Sequence, residues 1–152
     1  MRRLKWSASV SPLFSQFADS RVLEIWLSTY VNDVYSAGME RLHTVAETLE
    51  FARRAKALGI GEPEIAAIAD VLARSPEAGN ALGGGLFKIR IARQGGGKSG
   101  GFRTIYFYRS RLIPIFLLTI FAKNERSNIS ATELAELKAI GDEIALNYGK
   151  SK

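Results

Sequence analysis

The sequence contains no cysteine and a single histidine, His43. The first absence excludes a disulfide scaffold, a zinc–thiolate site and a thiol nucleophile. The second excludes a histidine pair for acid–base work and a histidine-rich metal site. No metal or cofactor is expected. Long apolar runs are missing too. The longest, Leu112 to Ala122, falls well short of the roughly 20 residues that cross a bilayer. Met1 to Lys5 has the basic look of a secretory leader, but Trp6 to Pro12 does not continue as an apolar core. The chain reads as soluble and cytoplasmic, with no membrane partner.

Acidic residues are absent where basic ones crowd. Residues 1–85 carry nine Lys or Arg and ten Asp or Glu, and residues 127–152 carry three and four. Residues 86–126 carry nine basic residues against one acidic residue, Glu125. The whole net charge of +6 therefore comes from one 41-residue stretch. A localised basic surface is the footprint of a polyanion, either nucleic acid or an acidic protein partner. A length of 152 residues with 47% hydrophobic side chains suits one globular core.

Residues 1–38 show no sustained period, although Val22 to Val31 could form a short helix or strand. From Met39 the pattern becomes regular. Arg41 to Ala46 suits a first strand that holds His43 in a structural role. Thr48 to Leu58 suits a helix with Leu49, Ala52, Ala55 and Leu58 on one face, broken by Gly59-Ile60-Gly61. A second helix starts near Pro63, where a missing N–H costs nothing, carries Ile65, Ile68, Ala69 and Leu72, and stops near Ser75-Pro76. Gly83-Gly84-Gly85 reads as a hinge-like turn.

Three strands follow. Leu86 to Arg93 alternates, with Phe87, Ile89 and Ile91 on one face and Lys88 and Arg90 on the other. Phe102 to Arg109 is rich in aromatic and β-branched residues. Ile113 to Ala122 is continuous enough for a central strand covered on both sides. A glycine-rich hairpin loop, Gln94 to Gly101, joins the first two. Ser130 and Glu133, at capping-box spacing, open a last helix with Leu134, Leu137, Ile140 and Ile144 as its apolar stripe. The expected order is β-α-α-β-β-β-α, an α+β fold: a small antiparallel, mixed-edge sheet with helices packed on it.

Ala92 to Ser99 fits a loose nucleotide-binding loop pattern. That chemistry needs a helix starting at the Lys-Ser pair, so that its amides can hold phosphates. A strand-like segment, Phe102 to Tyr106, follows instead, so the loop reads as a basic hairpin.

If the three strands pair in sequence, Lys88, Arg90 and Arg103 could converge with Lys123 and Glu125 at the end of the third. Arg103, however, shares its parity with Ile105 and Phe107. A Lys and Arg cluster with one carboxylate and no His suggests phosphate chemistry without a metal. Arginines can hold phosphate oxygens and stabilise added negative charge. A lysine amine among cations, or Glu125, could take a proton from a ribose 2′-hydroxyl.

The series Gly85-Leu86-Phe87-Lys88-Ile89-Arg90, then Gly101-Phe102-Arg103-Thr104-Ile105-Tyr106, then Leu117 to Glu125 resembles the RelE/ParE superfamily of toxins, closest to its HigB-like branch. The resemblance spans about residues 39–152. It implies the toxin of a type II toxin–antitoxin module: a metal-independent endoribonuclease that acts on mRNA in the ribosome and blocks translation. It implies a cognate antitoxin, with a DNA-binding domain, as partner. It places Arg103 at the transition-state arginine, Lys88 and Arg90 at the basic strand positions, and Lys123, with Glu125 after it, in the basic motif beyond the last strand. Arg93, Lys98, Arg109 and Arg126 are the accompanying RNA-binding candidates. Two positions depart from the best-known RelE toxins: Asn124 stands in place of an Arg, and Ser130 in place of a Tyr. The resemblance also marks residues 1–38 as an extension, either a misassigned start or an added helix. Alternative readings are a ParE-type gyrase inhibitor, which acts by binding protein, and a non-catalytic RNA-binding or degenerate toxin.

Overall fold

The computed structural model describes residues 42–93 and 100–148. The extension 1–38, Arg41 and Lys98 lie outside the described residues. The elements are β1 (Val45–Glu47), α1 (Leu49–Ala57), α2 (Glu62–Arg74), β2 (Asn80–Gly83), β3 (Leu86–Ala92), β4 (Gly101–Phe107), β5 (Ile115–Ala122) and α3 (Ala131–Asn147). The strands form one five-stranded sheet in the order β1-β5-β4-β3-β2. β1 runs parallel to β5, and every other pair is antiparallel. The α+β reading and its mixed edge hold. The sequence reading missed β2, and Gly83-Gly84-Gly85 is a tight β2–β3 hairpin rather than a hinge. All three of these glycines have positive φ, the backbone a two-residue hairpin turn needs and L side chains resist.

The sheet separates two cores. On one face α1 and α2 bring Phe51, Ala55, Ile65, Ile68 and Leu72 onto Phe102, Tyr106, Ile115, Leu117 and Ile120. On the other, α3 brings Leu137 and Ile144 onto Leu86, Ile105, Phe107, Phe116 and Phe121. β5 is buried from Ile115 to Phe121, as its unbroken apolar run requires.

Local chemistry sets the helix ends. The Thr48 hydroxyl accepts from Phe51 N–H at 3.2 Å and donates to the Leu117 carbonyl at 2.9 Å. One side chain thus caps α1 and ties it to β5. Glu64 accepts from Gly61 N–H at 3.0 Å, with Pro63 in the first turn of α2. Ser130 caps α3 by accepting from Glu133 N–H at 3.1 Å. The Glu133 carboxylate turns to Arg126 instead of completing a capping box.

α3 sits where Gly141 meets the ring of Phe107. A Cβ on Gly141 would fall 2.6 Å from that ring, and one on Gly85 would fall 2.8 Å from it. The ring is fully buried and has no room to retreat. Gly141→Ala gains about 1 kcal/mol of helix propensity but overpacks the contact at about 1–3 kcal/mol. The clash wins because the ring is pinned on both sides. Urea denaturation is expected to show a lower midpoint for Gly141→Ala.

Glu47, at the end of β1, has its carboxyl pKa raised above 4.5, first by burial and then by the Glu62 charge. The fold therefore penalises the carboxylate. Its contribution to stability is complete below pH 4.5 and is lost as pH rises through the raised value. Glu47→Gln is expected to raise the melting temperature near neutrality, with the gain vanishing below pH 4.5.

Candidate nucleic-acid interface and catalytic face

β3 and β4 pair with Lys88 opposite Ile105 and Arg90 opposite Arg103, and β4 and β5 pair with Arg103 opposite Phe121. Residues opposite one another share a sheet face. Lys88, Arg90 and Arg103 therefore stand on the α3 face, in line with Ile105, Phe107 and Phe121. The shared parity of Arg103 with Ile105 and Phe107 is the parity of this face. One face is apolar under α3 and basic where the helix's cover runs out. Arg90 is exposed, and Lys88 and Arg103 are half-buried.

Arg90 and Arg103 are like charges placed directly across a strand pair, an arrangement that costs stability. Arg103 Nη1 donates to the Phe102 carbonyl at 3.4 Å. Lys88 Nζ donates to Asn128 Oδ1 at 3.2 Å, which ties the third cation to the loop between β5 and α3. In the same loop Arg126 donates to Glu133 at 2.6 Å and lies over the Phe121 ring, 4.5 Å from its centre. Arg126 therefore walls the cluster with its charge already matched. Lys123 and Glu125 are exposed in the turn after β5. Lys123 N–H donates to the Gly101 carbonyl at 3.0 Å, which places the turn at the same sheet end as Arg90 and Arg103.

Two of the RNA-binding candidates stand apart. Arg93 lies over the Phe102 ring, 6.0 Å from its centre, on the α1/α2 face. Arg109 donates to Asp142 at 3.0 Å beyond the far end of β4, roughly 20 Å along the chain from Arg103. His43 is remote as well, beside the start of β1. Its ring packs edge-on to Tyr108 at 5.3 Å, and its pKa is lowered by burial and then by Arg111. It lines an open cleft of about 360 Å³ with Pro76, Glu77, Tyr108 and Arg111, away from the cationic face. Among the described residues no group of three or more His, Asp or Glu gathers as a metal site would require.

Sequence reasoning missed Gly101, Asn128 and Glu133 as parts of the site. Gly101 carried a usable signal, since a glycine in a strand marks a close approach. Asn128 and Glu133 carried none, because their roles depend on how the β5–α3 loop closes.

A family model described as the RelE toxin of the RelE/RelB toxin–antitoxin system matches residues 43–150. The chain belongs to the RelE toxin family. It is thus a toxin of a toxin–antitoxin system, and RelE membership implies an antitoxin partner. Among its described residues no helix is long and apolar enough to cross a membrane.

The placement of the cations in this RelE toxin separates them in space. Arg90→Ala is expected to weaken binding of single-stranded RNA about tenfold, the loss of one charge-assisted hydrogen bond. Arg109→Ala is expected to leave it unchanged. Fluorescence anisotropy on a labelled oligonucleotide distinguishes the two.

Proposed function

We propose that this toxin is a metal-independent endoribonuclease that cleaves mRNA on the ribosome in the cytoplasm and so blocks translation. The observation that carries the reading is the opposed Arg90–Arg103 pair on the sheet face that α3 leaves uncovered. A fold that keeps two like charges opposite one another gains when a polyanion lies between them.

In this reading a ribose 2′-hydroxyl attacks the adjacent phosphorus. The new O2′–P bond forms as the P–O5′ bond breaks, which leaves a 2′,3′-cyclic phosphate and a 5′-hydroxyl. Arg103 and Arg90 hold the non-bridging oxygens and stabilise the extra negative charge of the five-coordinate transition state. Lys88, steadied by Asn128, and Lys123 and Glu125 in the turn after β5 supply the groups for proton transfer. One takes the 2′ proton and another protonates the departing 5′ oxygen. Ser130 is committed to capping α3 and is not among them. Arg126 positions RNA beside the reacting phosphate. The antitoxin's acidic segment covers the same cations when the toxin is held inactive.

Residues 39–152 form the toxin unit, a reading supported by a family match that begins at residue 43. Residues 1–38 are an extension to it.

The test is inducible expression in a bacterium with mapping of 5′-hydroxyl mRNA ends before growth stops. Frame-dependent ends inside coding regions are expected, and Arg103→Ala is expected to abolish them while retaining the wild-type circular dichroism spectrum. Growth arrest with intact mRNA would refute the nuclease reading and point to a gyrase-directed toxin.

A further inference from the structure

The cleft beside His43 lies away from the cationic face, and each of its walls is held by hydrogen bonds of its own. His43 leads into β1, and its backbone N–H donates to the Ala73 carbonyl at 2.9 Å. Residues 75–79, between α2 and β2, are pinned from below by Tyr106. Its buried hydroxyl donates to the Pro76 carbonyl at 2.8 Å and accepts from Gly79 N–H at 3.0 Å. The third wall carries Tyr108 and Arg111. Tyr108 N–H donates to the Gly85 carbonyl at 2.9 Å, and Arg111 sits in a turn where the Ser110 hydroxyl accepts from Leu112 N–H at 3.3 Å. These walls enclose about 360 Å³, so the cleft is preformed, as binding sites for small ligands usually are.

Its charges are unbalanced. Arg111 is exposed and His43 half-buried, and among the described residues no carboxylate pairs with either. Burial, and then the Arg111 charge, lower the proton affinity of the His43 ring. The neighbouring charges are directed elsewhere. Arg74 and Asp70, at the end of α2, pair with one another at 3.2 Å. Glu77 lines the cleft, but its charge bears on Tyr106. Ser75 and Tyr108 add hydroxyl groups to the lining, and Pro76 adds apolar surface. An anion between Arg111 and a protonated His43 accepts from both and removes their repulsion.

We propose that this cleft is a second, non-catalytic site that holds a small oxyanion, a phosphate ester or a carboxylate, between the His43 imidazolium and the Arg111 guanidinium. The inference stands apart from the nuclease reading, because none of its residues belongs to the cationic face. The anion favours the charged form of His43, so by linkage it binds more tightly as pH falls through the histidine range.

His43 is the only histidine in the sequence, so its imidazole resonances report this cleft alone. The experiment titrates the full chain with sulfate and, separately, with acetate, at ionic strength matched with chloride, and follows the His43 ring by NMR. Both anions keep their charge from about pH 5.5 to about pH 8, the span over which histidine changes charge. Sulfate stands in for a phosphate ester and acetate for a carboxylate, and the tighter binder identifies the source. Saturable movement of the His43 resonances is expected, with about tenfold tighter binding at the lower pH, the gain of one charge-assisted hydrogen bond. Arg111→Gln is expected to weaken binding about tenfold for the same reason, with the wild-type circular dichroism spectrum retained because the side chain is exposed. Arg103→Ala, on the cationic face, is expected to leave the isotherm unchanged. No saturable movement with either anion, an affinity independent of pH, or an isotherm that Arg111→Gln leaves intact would overturn the site. An isotherm weakened by Arg103→Ala would assign the anion to the cationic face and overturn it equally.

Discussion

The close approach of Gly141 to the Phe107 ring fixes where α3 lies, and the rest of the α3 side follows from it. The ring is bounded by Gly85 from the hairpin side and by Gly141 from the helix side. With that contact set, Leu137 and Ile144 reach Phe107, Phe116 and their neighbours, and the helix's cover ends short of Arg90. One sheet face is thereby divided into a dry half and a charged half. The Arg126–Glu133 pair ties the start of α3 to the loop after β5, so the helix is held at its first turn as well as at Gly141.

That division explains how strands with an apolar core can also carry a cationic surface. The residues of β4 on the α3 face are Gly101, Arg103, Ile105 and Phe107 in turn, polar at one end and apolar at the other. The fold tolerates the opposed arginines because Arg90 is exposed and solvent screens the pair. The charge of Arg126 is met by Glu133 and by the Phe121 ring.

Much of the architecture was legible from residues alone. Periodicity located α1, α2, β3, β4, β5 and α3 because each has a strong apolar pattern and clear cap or glycine boundaries. β2 escaped because Asn80 to Gly83 is largely exposed and shows no alternation. The partner of β1 was not legible either, since parallel pairing to a strand seventy residues away leaves no local trace. At the site, alternation placed Lys88 and Arg90 correctly on one face, but the position of Arg103 depended on where α3 stops. Arg93 and Arg109 belong to the same charge-rich stretch yet stand on another face and at another end. Density of charge along the chain does not fix adjacency on a surface once strands alternate and reverse.

The position of β5 has a consequence for how the molecule is made. This strand is the last of the sheet in the chain, yet it lies between β1 and β4. Among the described residues β1 pairs with β5 alone, and the Thr48 hydroxyl at the start of α1 rests on β5 carbonyls. As a nascent polypeptide emerges N-terminus first, β1 has no strand to pair with, and α1 and α2 have only part of their sheet surface, until β5 follows. The β3–β4 hairpin can form earlier from local contacts, but its pairing stays one-sided. Such long-range closure is slow relative to hairpin and helix formation. The native arrangement is therefore reached late, after nearly the whole chain has been translated, and a truncated product that lacks β5 has no route to it.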